Sequence, residues 1–245
     1  MKKSNFILFF ATILLLCGCT REKIKLHGTV KDYEGNIYYT IRIGNQVWMK
    51  ENMRTRYFAD GTPLLSYNQN STEPSYASKG LDEAKYNGIA AQYKKDPQSK
   101  YTQGVCPNGW HLPSVSEWQE LVNYYKEHPE IWNYDGVETI PQALTSKDFD
   151  VDQLALSLPL YGYVYGLQTA SGEMRAYFFT EVAVCWAEGY TTNYPNKDIL
   201  GGNVAPTDTS YPYANALIFH PLNDEPVITS ANDRHYCSVR CVKDR

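Results

Sequence analysis

Six cysteines, five histidines and one run of alternating acids are the residues of this 245-residue chain whose types could do chemistry. Cys17 and Cys19 close an apolar N-terminal run, while Cys106, Cys185, Cys237 and Cys241 are spread through the rest. Zinc would need clustered soft ligands. Cys237 and Cys241 are near neighbours, but Cys106 and Cys185 are isolated and no paired His lies near them, so the four read as two disulfides with three connectivities open. His27, His111, His128, His220 and His235 also lack ligand spacing. For His111, just ahead of a helix start, a hydrogen-bonding role is favoured over catalysis. Asp148-Phe149-Asp150-Val151-Asp152 imitates the opening of a calcium loop, but Gln153 stands where Gly is required and Pro159 where a bidentate Glu is required. There is no Gly-x-Ser-x-Gly elbow, His-Glu-x-x-His, phosphate-binding Gly-rich loop or dinucleotide fingerprint. The expectation is a non-enzyme without metal or cofactor.

Aromatic residues offer a different chemistry. Tyr161, Tyr163 and Tyr165 fall on one face of an expected strand, and Tyr190, Tyr194, Tyr211 and Tyr213 crowd a Gly/Pro/Asn/Thr-rich stretch, residues 187–213. Aromatic faces stack on sugar rings, and loops on a rigid scaffold commonly carry binding. The four loop tyrosines are the candidate binding residues for a glycan or protein partner. The competing reading is that they only order the loop. Trp110, Trp118 and Trp186 read as core.

The N-terminus speaks of export. Lys2 and Lys3 precede an apolar run, Phe6 to Leu16, of signal-peptide length. It ends in Leu16-Cys17-Gly18-Cys19, which resembles the bacterial lipobox and makes Cys19 the expected lipidated residue. Residues 1–18 carry two basic residues and no acid, so 23 basic residues become 21 against 27 acidic ones, a mature net charge of −6. The basic residues are scattered, which argues against a nucleic-acid reader. Residues 19–27 read as a tether and 28–245 as one domain, on a bacterial envelope protein anchored through lipid, in the outer membrane by expectation.

Elements that would position these residues follow from patterning. Residues 37–43 and 46–49 alternate around the Gly44-Asn45 turn as a hairpin. Ser114 with Glu117 three residues on forms a capping box, and Trp118, Leu121, Val122 and Tyr125 follow at helical spacing up to Pro129. A shorter helix is expected at residues 141–146. Residues 86–93 fit a strand or a helical turn equally. Later strands are expected near residues 154–158, 161–166, 176–179, 182–186, 216–219 and 236–242.

Cys106-Pro107-Asn108-Gly109-Trp110-His111-Leu112-Pro113-Ser114-Val115-Ser116-Glu117-Trp118, the closing Ser238-Val239-Arg240-Cys241-Val242-Lys243-Asp244 and the opening Gly44-Asn45-Gln46-Val47-Trp48-Met49-Lys50-Glu51-Asn52-Met53 together resemble the Fibrobacter succinogenes major paralogous domain. The resemblance implies an α+β, C-type-lectin-like fold with short antiparallel strands, one well-defined helix, a shorter one and long loops. It implies pairing of the N- and C-terminal strands and a Cys106–Cys241 disulfide, which leaves Cys185 for Cys237. The implied function is a lipoprotein with a lectin-like binding domain. The alternatives are a structural subunit of an envelope or adhesin assembly and, further off, an enzyme of the formylglycine-generating type. This chain has Ala187-Glu188 after Trp186 where the family usually carries serines.

Overall fold

The structure is a computed structural model that describes residues 26–67, 72–78, 84–133, 136–145, 156, 158–160, 164–168, 174–178, 182–191 and 212–245. The chain opens with β1 (Leu26–Lys31), β2 (Ile37–Ile43) and β3 (Gln46–Met49). Then come β4 (Leu65–Ser66), β5 (Ser75–Ser78), β6 (Ala84–Asn87), α1 (Gly88–Ala91), β7 (Trp110–His111), α2 (Val115–Glu127) and α3 (Ile140–Thr145). It ends with β8 (Val164–Gln168), β9 (Met174–Phe178), β10 (Ala183–Thr191), β11 (Tyr213–Phe219), β12 (Val227–Asn232), β13 (Tyr236–Cys237) and β14 (Val242–Lys243).

These strands form three sheets, ordered β1-β2-β3-β14-β7, β10-β11-β12 and β4-β5-β6-β13-β8-β9. The molecule is therefore mostly β, which corrects the α+β, C-type-lectin-like expectation. Among the described residues the three α-helices hold only 4, 13 and 6 residues. Strand content is easy to underestimate here because β4, β7, β13 and β14 have two residues each, too few to display alternation. The expected pairing of terminal strands is also corrected. β14 inserts between β3 and β7, and β1 lies at the sheet edge against β2 alone.

Helix α2 forms where its sequence says it should. The Ser114 side chain accepts from the Glu117 N–H while the Glu117 carboxylate accepts from the Ser114 N–H, an arrangement whose cap contributes about 1 kcal/mol. Trp118, Leu121, Val122 and Tyr125 are its buried face. Residues 84–91 resolve the ambiguity noted above by being both things in turn, strand β6 and then the single turn α1, with the Asn87 side chain capping Ala90 N–H.

Alternation sends the five-stranded and three-stranded sheets into two cores. In the five-stranded sheet Tyr38, Val47, Met49, Trp110 and Cys241 face one cluster, whereas Ile41, Ile43, Trp48 and Val242 face the other, which α2 covers. Trp118 fills the second cluster, with its ring centroid 4.6 Å from Trp48 and 5.4 Å from Phe219. Leu156 and Leu158 are buried there too, but neither belongs to a strand.

The same alternation decides the cysteines. Cys106 and Cys241 form a disulfide across a sequence separation of 135. The second expected bond, Cys185–Cys237, is not formed, and both residues are buried thiols. Cys185 lies opposite Ser238 in a parallel bridge, so Cys237, one residue earlier, points to the opposite face. Cys185 accordingly sits in the α2-side cluster and Cys237 in the other.

Candidate functional site

Polar or aromatic side chains gather at the buried His111 cluster, at the root of the tyrosine-rich stretch and on the solvent side of α2.

His111 closes the fold more than it opens a reaction. It is 1% exposed, with Nδ1 2.7 Å from Asp244 Oδ1 and Nε2 3.0 Å from Glu117 Oε1. Tyr101 stacks on its ring at 4.1 Å. Burial pushes the imidazole pKa down, but hydrogen bonds to Glu117 and Asp244 outweigh it and hold the ring above its ordinary value. Burial alone would raise Glu117, yet His111 and the Ser114 cap bring it below the ordinary carboxyl range. The result joins the start of α2 to the last residues of the chain. Arg245 extends the strap by donating from one guanidinium nitrogen to both Glu120 carboxylate oxygens at 2.8 Å.

The tyrosine-rich stretch is shorter than its sequence suggests. Residues 187–191 continue β10 and Tyr213 begins β11, where Tyr213 pairs with Thr191. Tyr190 is half-exposed, and burial of its hydroxyl with Asp233 nearby pushes its pKa up to about 12. Tyr213 is half-buried. Tyr194 and Tyr211 lie outside the described residues, as do Tyr161, Tyr163 and the acidic run at 148–152. Two of the four candidate tyrosines thus lie at the paired ends of two strands, where the register, Tyr190 opposite Ala214 and Tyr213 opposite Thr191, turns them to opposite faces.

Between Trp186 and Tyr190 the β10–β11 register shifts. This irregularity is held from several sides. Gln92 donates to the Ala187 carbonyl and accepts from the Gly189 N–H, and Asn215 donates to the Glu188 carbonyl. The Glu188 carboxylate accepts the Thr102 hydroxyl at 2.6 Å and lies 3.7 Å from Lys94 Nζ. Ala187 and Glu188 are therefore fixed in place by polar contacts.

The solvent side of α2 carries an open cleft. A cleft of about 560 Å³ runs between the β2–β3 turn and the helix, lined by Gly44, Asn45, Gln46, Gln119, Asn123, Tyr124 and their neighbours. Its helix side repeats every three or four residues, from Ser116 through Gln119 and Glu120, Asn123 and Tyr124, to Glu127. Among the described residues no Lys or Arg lines it, and Arg245 pairs with its Glu120. Gln46 anchors the turn, donating from Nε2 to the Glu117 carbonyl at 3.0 Å and accepting from Trp48 Nε1 at 2.9 Å. Gly44 has φ +55°, and a Cβ there would come within 2.9 Å of Tyr124 Cδ2. The tyrosine ring therefore rests directly on the glycine backbone, with His128 at 4.4 Å between ring centroids.

A second groove of about 400 Å³ lies on the other flank, between Trp118, Val122 and Lys126 of α2 and Leu217, Pro226 and Ile228. Gln119 and Asn123 border both openings. Among the described residues, no three or more His, Cys, Asp or Glu side chains assemble as a metal site.

Sequence patterning missed the cleft because residues 116–127 on the polar side of an amphipathic helix look like an ordinary solvated face. The available signal was chemical. Ser116, Gln119 and Asn123 are neutral hydrogen-bonding groups along a line where charged residues are usual, and they face a Gly-Asn turn.

A family model described as the Fibrobacter succinogenes major domain matches residues 41–243. The chain belongs to that family. The Fibrobacter succinogenes major domain here takes in both walls of the cleft, the His111 ring with Glu117, the Cys106–Cys241 disulfide and α2, and leaves β1 outside its matched span. No curated protein and no solved structure matches the chain.

Proposed function

We propose that this chain is an envelope lipoprotein, lipidated at Cys19 and held at the outer membrane, whose domain binds a glycan without acting on it. The cleft between the β2–β3 turn and α2 carries the binding reading. The amides of Asn45, Gln119 and Asn123 and the Glu127 carboxylate are planar groups suited to adjacent hydroxyls, and Tyr124 supplies an apolar ring. Arg245 is already paired with Glu120, and the Glu127 carboxylate adds negative charge, so the cleft favours a neutral sugar over an anionic one. Reactive-cysteine chemistry gains no support, because burial pushes the Cys185 thiol up to about 11, opposite to the shift a nucleophilic thiol needs.

A glycan array probed with the purified full chain tests this reading. Retention of neutral glycans by the native chain, lost on Asn123→Ala with Tyr124→Ala while thermal unfolding stays cooperative, is the expected result. Binding unchanged by those substitutions would remove the cleft from the proposal.

A second reading, a subunit of an envelope assembly, is favoured by the edge strand β12. Val227 and Ile228 are exposed there beside the second groove, where Lys126 and Glu225 pair at 2.7 Å. Recovery of a stoichiometric protein partner that Ile228→Asp abolishes would support it.

A further inference from the structure

The sheet that carries the cleft ends in an unpartnered face beside the proposed anchor. β1 pairs only with β2, and five of its six residues are exposed. Opposed residues of an antiparallel pair share a face, and the register sets Leu26 opposite Ile41, Thr29 opposite Tyr39 and Lys31 opposite Ile37. Leu26, Ile37 and Tyr39 therefore lie on one side of the hairpin, at 42%, 47% and 50% exposure. This is the side on which Ile41 and Ile43 are buried under α2. The helix covers the inner part of that face and leaves the outer part bare.

The chain that leads into this face indicates what covers it. Cys19 and Leu26 are seven residues apart, a span of at most about 25 Å when fully extended. A lipid on Cys19 would hold β1 within that distance of the bilayer whatever path the intervening residues take. The chemistry of the face suits the interface. Tyr39 combines a ring with a hydroxyl, the pairing that places tyrosines at headgroup depth, and Lys31 can set its ammonium among phosphates while its stem covers apolar surface. The neighbouring acid is engaged, since the Glu51 carboxylate accepts the Tyr39 N–H at 2.8 Å and is near the charges of Arg240 and Arg54.

We propose that the β1–β2 face formed by Leu26, Ile37, Tyr39 and Lys31 docks on the membrane surface to which Cys19 is anchored, which fixes the orientation of the domain on the bilayer. This rests on the lipoprotein reading above.

Photo-crosslinking in cells tests it with the full chain. A benzophenone side chain is placed at Tyr39, at Ile37 or, as a control, at Leu222, which is 83% exposed in the turn between β11 and β12. Lipid adducts at Tyr39 and Ile37, absent at Leu222 and lost when Cys19→Ser is added, are expected. Adducts to protein instead of lipid, or equal lipid adducts at all three positions, would overturn the docking face. Fatty-acid labelling of the same chains separates the two failures. A labelled chain without lipid adducts at Tyr39 and Ile37 sinks the docking proposal alone, and an unlabelled chain sinks the lipoprotein reading together with it.

Discussion

His111 and Asp244 meet at 2.7 Å although 133 residues separate them, and the contact places the end of the chain against the start of α2. A protonated imidazole donates to Asp244 from one nitrogen and to Glu117 from the other, so three charged groups of alternating sign tie β7, β14 and the helix cap together.

This cluster sets a pH dependence. His111 has a folded pKa raised above its ordinary value, so its contribution is complete below the unfolded value of about 6.5 and is lost as pH rises through the folded value. Glu117 has a lowered folded pKa, so its contribution is complete above about pH 4.3 and is lost as pH falls through its folded value. Denaturant unfolding should therefore show greatest stability from this cluster between those limits. His111→Gln should flatten the alkaline decline and lower stability by about 1.5–3 kcal/mol near pH 6, the range for hydrogen bonds to charged groups. An unchanged pH profile in that variant would show that the cluster does not titrate as described.

How much of this was legible in the sequence depended on the range over which each signal acts. Ser114, Glu117 and the Trp118-to-Tyr125 spacing are local, and α2 formed as they required. The Gly44-Asn45 turn likewise announced the β2–β3 hairpin. The place of β14 between β3 and β7 was not legible, because two-residue strands carry no period and their partners are fixed by burial elsewhere. The faces of Cys185 and Cys237 were equally hidden, since they depend on a parallel bridge to Ser238 that only the assembled sheets create. For the site, sequence pointed to tyrosines and the structure offers amides beside one tyrosine.

The cysteines give a chemical test. Non-reducing peptide mapping should find Cys106 joined to Cys241, with Cys185 and Cys237 alkylated only after unfolding, because both thiols are buried. Cys106→Ser with Cys241→Ser should lower stability by up to about 4–5 kcal/mol, the chain-entropy figure for closing a loop of this length. Recovery of a Cys185–Cys237 peptide would contradict the opposite-face arrangement.

Trp118 separates packing from polar cost. Its side chain is fully buried, and among the described residues its indole N–H has no hydrogen-bond partner. Trp118→Ala should cost about 3–5 kcal/mol through the cavity it leaves. Trp118→Phe keeps an aromatic ring beside Trp48 and removes the unsatisfied donor, so it should lose much less, within about 1.5 kcal/mol. Equal losses in urea unfolding would mean that the N–H is satisfied in solution.

Gly44 links the fold to the cleft. Its φ is +55°, and a Cβ would stand 2.9 Å from the Tyr124 ring. Gly35 has φ +84° with nothing within 4 Å of a built Cβ, so it bears the backbone term without the collision. Gly35→Ala should therefore lose about 1 kcal/mol, at the low end of the cost of a left-handed non-glycine residue. Gly44→Ala should lose more than that and should also weaken glycan binding, because the displaced ring is the apolar wall of the proposed site. Binding titrations alongside thermal melts would read both effects. If Gly44→Ala matched Gly35→Ala in stability and bound glycan normally, Tyr124 would not be held by the turn, and the cleft would lose the contact that gives its ring a fixed position.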